Sequence, residues 1–430
     1  MTATYMTGTR WQDVLGHRVE LSDAPTGGAG TPGVWNTSLW DTGLWAALWA
    51  PPFHDVTPAL LAWHSTTGAQ GLDLAPGVGT VELELLDLDG ALTPDGSTDW
   101  LLGRHVRGYV TPAGRAEAPA FYAVIDSAAS GGTFAVPTVR LTAYDVRSVI
   151  GAGATATPVA NAPQSAATRL AAIVAAAGLP PERAVIEADP TVLLADDTLE
   201  LGDLLGRTVE SAAGLAWADA NGRIIYRNQD WIHGTSSTVT AYLYAGTPRS
   251  TPDEGVPVAQ TSGDLDASQA LSTVRNIVTY TNTAEPPATV TVTDTPSINR
   301  YGQRRREVDD LSCDLTLLTN LANRDLAMGK APAMLVEAAT VTVYDADTAA
   351  IAALGLAEVV VVGRNDPGVA EWELVGIVAG VELSLSPESA EIAVTVTTAA
   401  GLGGDDAVWD TALWDLNRWA GTLRTTKVAA

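Results

Sequence analysis

The side chains able to do acid–base, nucleophilic or metal chemistry are thinly spread in this chain. His17, His54, His64, His105 and His233 stand far apart, and none forms an HExxH or other close metal pairing. His54 and Asp55 make a lone dyad with no nucleophile motif beside it. Surface positions or hydrogen-bonded core positions account for all of these imidazoles. No G-x-S-x-G elbow is present. Gly77-Val78-Gly79-Thr80 and Gly151-Ala152-Gly153 lack the Lys-Ser/Thr of a phosphate loop and read as turns. Asp87, Asp89, Asp95 and Asp99 could attract calcium, but the ligand spacing of an EF-hand is missing, so the stretch reads as an acidic turn. Arg304-Arg305-Arg306 runs into Glu307, Asp309 and Asp310, a pattern expected of a solvated face or an intersubunit ion pair. Cys313 is the only cysteine, which excludes an internal disulfide and a zinc–thiolate cluster. On the helix expected there, it reads as a small buried apolar residue. No catalytic, cofactor-binding or metal-ligating residue is expected, and no cofactor.

Tryptophan is the exception to this bland inventory. VWNTSLWDTGLW (34–45) and VWDTALWDLNRW (408–419) align without gaps at opposite ends of the chain. Trp35, Trp40 and Trp45 recur every fifth residue, as do Trp409, Trp414 and Trp419. That period matches neither the helical 3.6 nor the strand 2. Indole rings are enriched at interface hot spots, and the six rings are expected to be assembly contacts. Packing onto the chain's own core, or stacking on a glycan, remains open from these residues alone.

The elements around these residues are mostly β. The chain has 430 residues, 46% apolar and 17% charged, with a formal net charge of −26. Such a chain is long enough for several domains. Its acidity makes it a poor general partner for phosphates. No basic-then-apolar leader opens the chain, and no apolar run approaches the roughly 18 residues of a membrane span. VELELLDLDG (81–90), HVRGYV (105–110), FYAVIDSA (121–128) and VRLTAYDV (139–146) predict short strands separated by turns. SAATRLAAIVAAAG (165–178) predicts an amphipathic helix capped by Ser165 and Gly178. A second helix falls within 198–214, and a hairpin turns at Asn221-Gly222. Strands at 274–282 and 289–294 precede a helix at 311–330 and four more strand-like runs. The fold expected is mainly β with an α+β insertion. It has an arm with a Trp box (1–52), a first β-barrel-like domain (53–150), an α+β domain (151–265), a second β domain with an embedded helix (266–400) and a Trp-box tail (401–430).

Residues 53–110, with their D-V-T opening, the G-T before an alternating strand and the G-R-x-V-R close, resemble minor tail proteins of long-tailed phages of actinobacteria. FYAVIDSA, VRLTAYDV, TRLAAIVAAAGLP and the N-G-R-I-I-Y hairpin continue the likeness. SINRYGQRRREVDDL and P-A-M-L-V-E resemble the closing domain of tail hub proteins, and terminal W-D-T-x-x-W-D boxes occur in the same group. The resemblance implies two tail-tube-like β-barrels per chain, flanking the α+β domain, and a homo-trimer forming a pseudo-hexameric ring at the tail tip. It implies a structural, non-enzymatic virion protein assembled in the host cytoplasm. Its partners would be the distal tail or tube protein, the tape measure and receptor-binding proteins. DNA would pass through the ring without specific binding. A tail fibre adaptor or carbohydrate-binding tail protein using the Trp boxes is the alternative. A cell-wall hydrolase, needing two carboxylates in one cleft, is a more distant one.

Overall fold

Alternation sets the first half of the fold. In TVELELL (80–86) Val81, Leu83 and Leu85 turn inward and are buried, while Glu82 and Glu84 face outward. This strand, β4 (Thr80–Leu86), stands among β1 (Leu15–Ser22), β2 (Phe53–Asp55), β3 (Leu60–Gly68), β5 (His105–Pro112), β6 (Ala118–Thr133) and β7 (Val136–Tyr144). These lie side by side in the order β3-β4-β7-β6-β5-β1-β2, all antiparallel. The computed structural model describes residues 10–22, 52–68, 77–90, 92, 101–133, 135–228, 238–246, 251–262, 265, 267–269, 271–332, 334–365 and 372–398. Both Trp boxes, with Trp35, Trp40, Trp45, Trp409, Trp414 and Trp419, lie outside the described residues.

The chain then leaves the sheet for an α+β unit. It comprises α1 (Arg147–Gly151), β8 (Gln164–Ser165), α2 (Ala166–Ala176), β9 (Ala184–Ile186), β10 (Val192–Leu193), α3 (Leu201–Ser211), β11 (Leu215–Ala218) and β12 (Ile224–Arg227). Ser165 caps α2 by accepting from Thr168 N–H at 3.2 Å. Gly178, with φ of 74°, supplies the left-handed residue that ends it. The β11–β12 hairpin turns at Asn221-Gly222, where Gly222 has φ of 70°. Leu170, Ile173, Leu204 and Tyr226 form the unit's own core.

The remaining strands are β13 (Ala241–Gly246), β14 (Val258–Gln260), β15 (Ala267–Gln269), β16 (Ile277–Asn282), β17 (Thr289–Thr293), β18 (Arg305–Leu311), β19 (Met334–Thr342), β20 (Val359–Asn365), β21 (Trp372–Leu385) and β22 (Ala390–Thr398). Helices α4 (Thr295–Tyr301), α5 (Leu315–Gly329) and α6 (Ala346–Ala350) interrupt them. Within this region β17-β16-β18 form a separate sheet, covered by α5 through Val278, Tyr280, Leu318 and Leu321. Asp314 caps α5 by accepting from Leu317 N–H at 2.8 Å. Cys313 is buried just ahead of that cap rather than within the helix.

The mainly β character expected from the sequence is present, but among the described residues no closed barrel forms. One large mixed sheet of fourteen strands takes the place of two barrels. The cause is the length of β21, fourteen residues, which outruns any single neighbour. One edge of β21 pairs with β20 through Trp372–Ile377 and then with β3 through Gly380–Leu385, while the other edge pairs with β22. A bulge between Val378 and Gly380 bends the strand at the change of partner. Gly68 ends β3 against this bend with φ of 86°; a β-carbon there would overlap the Ala379 carbonyl and the Leu356 side chain. The apolar cores of the two β regions consequently merge, with Leu83 and Phe121 in the same buried cluster as Val362 and Val394.

Candidate functional site

Directly paired residues on neighbouring strands project to the same face of a sheet. Thr142 pairs with Glu82, Glu82 with His64, His64 with Ser384, Ser384 with Glu391, and Glu391 with Thr342. This row crosses β7, β4, β3, β21, β22 and β19 on the face away from the core. A second row runs beside it through Tyr144, Thr80, Thr66, Glu382, Ala393 and Thr340. The result is one polar surface built from both β regions and joined at the β3–β21 pairing.

Its groups are tied laterally. Thr66 and Thr80 share a hydroxyl hydrogen bond of 2.7 Å. His64 Nδ1 lies 2.9 Å from Ser384 Oγ and 3.8 Å from Glu382 Oε1. Arg140 stands 3.9 Å from Glu84. The carboxylates of Glu82, Glu84, Glu382 and Glu391 therefore face one guanidinium and one imidazole. A shallow groove of about 300 Å³ follows this surface past His64, Glu84, Arg140, Ser384 and Ser389, floored by Trp63. Both Ser384 and Glu382 approach the same ring nitrogen of His64, so the three do not form a nucleophile–base–orienter relay. Among the described residues no His, Cys, Asp or Glu grouping is arranged to hold a metal ion.

Two buried polar joints hold the α+β unit in place. In the first, Ser312 Oγ donates to Asp196 at 2.7 Å, Ser312 N–H donates to Ser211 Oγ at 2.9 Å, and Leu194 N–H donates to the Ser312 carbonyl at 2.8 Å. Burial opposes ionisation of Asp196, but hydrogen bonds from Thr198 and Ser312 and the nearby Arg207 guanidinium outweigh it, so its pKa lies below the ordinary value. Arg207 also reaches Asp310 at 3.5 Å. In the second joint, Tyr122 of β6 and His105 of β5 meet with 3.0 Å between hydroxyl and Nδ1. Arg183 crosses from the α+β unit, its guanidinium 4.4 Å from the Tyr122 ring centre, and donates to the Asn221 carbonyl at 2.6 Å. Burial, and then Arg183, push the His105 pKa down to about 4.

The other sequence candidates are dispersed. His17 is half-buried beside Trp11, 5.5 Å between ring centres, and His54 is exposed on β2. Asp87 is buried and accepts from Leu92 N–H at 2.8 Å, as a turn-closing carboxylate does. Of the Arg304-Arg305-Arg306 run, Arg304 and Arg305 are exposed, while Arg306 bonds Asp325 at 3.1 Å and Glu210 at 3.4 Å within the same chain. Burial, and then Asp314, push the Cys313 thiol up to about 12, which keeps it protonated. Sequence reading missed Asp196, Ser211 and Ser312; no spacing signal links residues so far apart. Glu82 and Glu84 were legible as outward-facing, but their neighbours across β3 and β21 were not.

No family model and no curated protein matches the chain. Solved structures do resemble it. A tail protein from Neisseria meningitidis MC58 superposes with a TM-score of 0.54 at 13% identity, covering 90% of this chain and 99% of that one. The 43 kDa tail protein of prophage MuSo2 from Shewanella oneidensis superposes with a TM-score of 0.51 at 12% identity, again covering 90% and 99%. The large mixed sheet and its α+β unit are thus a fold found among phage tail proteins.

Proposed function

We propose that this chain is a structural protein of a phage tail and works at the tail tip as a hub. The observation that carries this is the unbroken polar face that crosses the joint between the two β regions. A surface past which DNA slides must not grip phosphates, and Glu82, Glu84, Glu382 and Glu391 repel them. Likeness of fold to tail proteins along nine-tenths of the chain supports the same reading. In the proposed arrangement three copies form a ring, each contributing both β regions, with the polar face toward the channel. The ring joins the tail tube to receptor-binding components. Trp35, Trp40, Trp45, Trp409, Trp414 and Trp419 serve as assembly contacts. This role needs no catalytic centre. Among the described residues no helix is long and apolar enough to cross a membrane.

Electron microscopy of the particle, with a label fused to this chain, tests the proposal. Three labels at the tip of the tail tube are expected. Labels along the tube, on side fibres, or in a ring of six chains would refute the hub role.

A further inference from the structure

Beside the small sheet β17-β16-β18 stands a corner with four exposed cations, Arg300, Arg304, Arg305 and Lys330. Asn276 is fully buried at its centre. Its side-chain amide donates to Ser297 Oγ at 3.2 Å and to the Gly302 carbonyl at 2.8 Å, and its Oδ1 accepts from Arg304 N–H at 2.8 Å. Ser297 Oγ in turn donates to the Lys330 carbonyl at 2.5 Å. These bonds draw the end of α4, the start of β18 and the end of α5 together, and Arg300, Arg304, Arg305 and Lys330 stand exposed around them. Among the described residues none of these four lies within ion-pair distance of a carboxylate. The neighbouring Arg275 and Arg306 are engaged by Asp325 at 3.0 and 3.1 Å. The Arg300 guanidinium lies 5.2 Å from the Tyr301 ring centre, so the corner also offers an aromatic surface. The chain as a whole carries −26, so four exposed cations that have no carboxylate within ion-pair distance among the described residues favour an acidic segment.

We infer that this corner docks the acidic C-terminal Trp box, residues 401–419, of a second copy of the chain. The inference rests on the proposed assembly role of the boxes and names the surface that one of them meets. Charge selects the box. Asp405, Asp406, Asp410 and Asp415 precede the first cation of the segment, Arg418, whereas the N-terminal box at 34–49 holds only Asp41. Asp410 and Asp415 each follow a tryptophan, Trp409 and Trp414, so carboxylate and indole arrive in pairs with the same five-residue period. Guanidinium groups match both members of such a pair, bonding the carboxylate and stacking on the ring.

Hydrogen exchange on the full-length chain at low ionic strength is the test. Amides of 401–419 should exchange about tenfold or more slowly than in the free 401–430 peptide. The R304E/R305E variant should lose that protection, as should D405K/D406K/D410K/D415K. Combining the two sets of changes should restore it, while exchange at 34–49 stays the same throughout. The substituted arginines are exposed, and an unchanged melting temperature confirms that each variant folds. Wild-type exchange at 401–419 equal to that of the free peptide overturns the inference. So does protection that survives R304E/R305E. Either result leaves the tail-hub proposal standing, since that depends on where labelled chains sit in the particle.

Discussion

Replacing His105 with glutamine should change how the stability of this protein depends on pH. In the fold the imidazole is buried beside Tyr122 and Arg183, and its pKa falls from 6.5 to about 4. A depressed folded-state pKa means that the unfolded chain takes up a proton in this window and the folded chain does not. The stability His105 contributes is therefore complete above pH 6.5 and drains away as pH falls toward 4. A fall of two and a half units at about 1.4 kcal/mol per unit is about 3 kcal/mol. Asp145 works against it. Burial raises that carboxyl from 3.8 to about 6, so the folded chain binds the proton more tightly and gains about 3 kcal/mol as pH falls from 6 to below 4. The two effects nearly cancel in the wild type, and the difference between wild type and His105→Gln isolates the imidazole. At pH 7 the variant should be less stable by about 1–3 kcal/mol, because the Tyr122 hydroxyl loses its Nδ1 partner. As pH is lowered to 4 the difference should shrink and then reverse. Urea denaturation followed by tryptophan fluorescence at half-unit pH steps measures it, provided both proteins keep the same m-value. A difference that stays constant within about 0.5 kcal/mol from pH 7 to pH 4 would show that His105 is not held neutral by its surroundings.

Three further outcomes follow from the geometry. Gly68→Val, at a φ of 86° and against the Ala379 carbonyl, should cost about 3 kcal/mol or more and lower the midpoint of denaturant unfolding; a change below about 0.5 kcal/mol would mean the β3–β21 joint is not as tight as described. Ser312→Ala removes the bond to Asp196 and should cost about 1–3 kcal/mol, with faster hydrogen exchange at Leu194. Replacing Glu82, Glu84 and Glu382 together by lysine should leave the melting temperature nearly unchanged, since all three lie on the solvent side of the sheet. It should also create duplex-DNA binding that falls steeply with salt, where the wild type shows no tight complex in a gel-shift assay.

What the sequence by itself determined was local. Ser165 and Gly178 bracket α2, and Asn221-Gly222 turns the β11–β12 hairpin, because each signal acts through hydrogen bonds or φ preferences within a few residues. The alternation in 81–90 likewise settled which face Glu82 and Glu84 occupy, since side chains on a strand repeat every second residue. Only the tertiary structure decided which strands become neighbours. Trp63–Gly68 pairs with Gly380–Leu385 across more than three hundred residues, turning two expected barrels into one sheet and placing His64 between Glu82 and Ser384. Backbone hydrogen bonds carry no residue identity, so a strand's partner is chosen by which apolar faces can share a core and by the bulge that lets β21 change partners. The same holds for Asp196, Ser211 and Ser312. Each is an ordinary polar residue in its own segment and becomes part of a buried joint only when two separately formed units close on each other and exclude water.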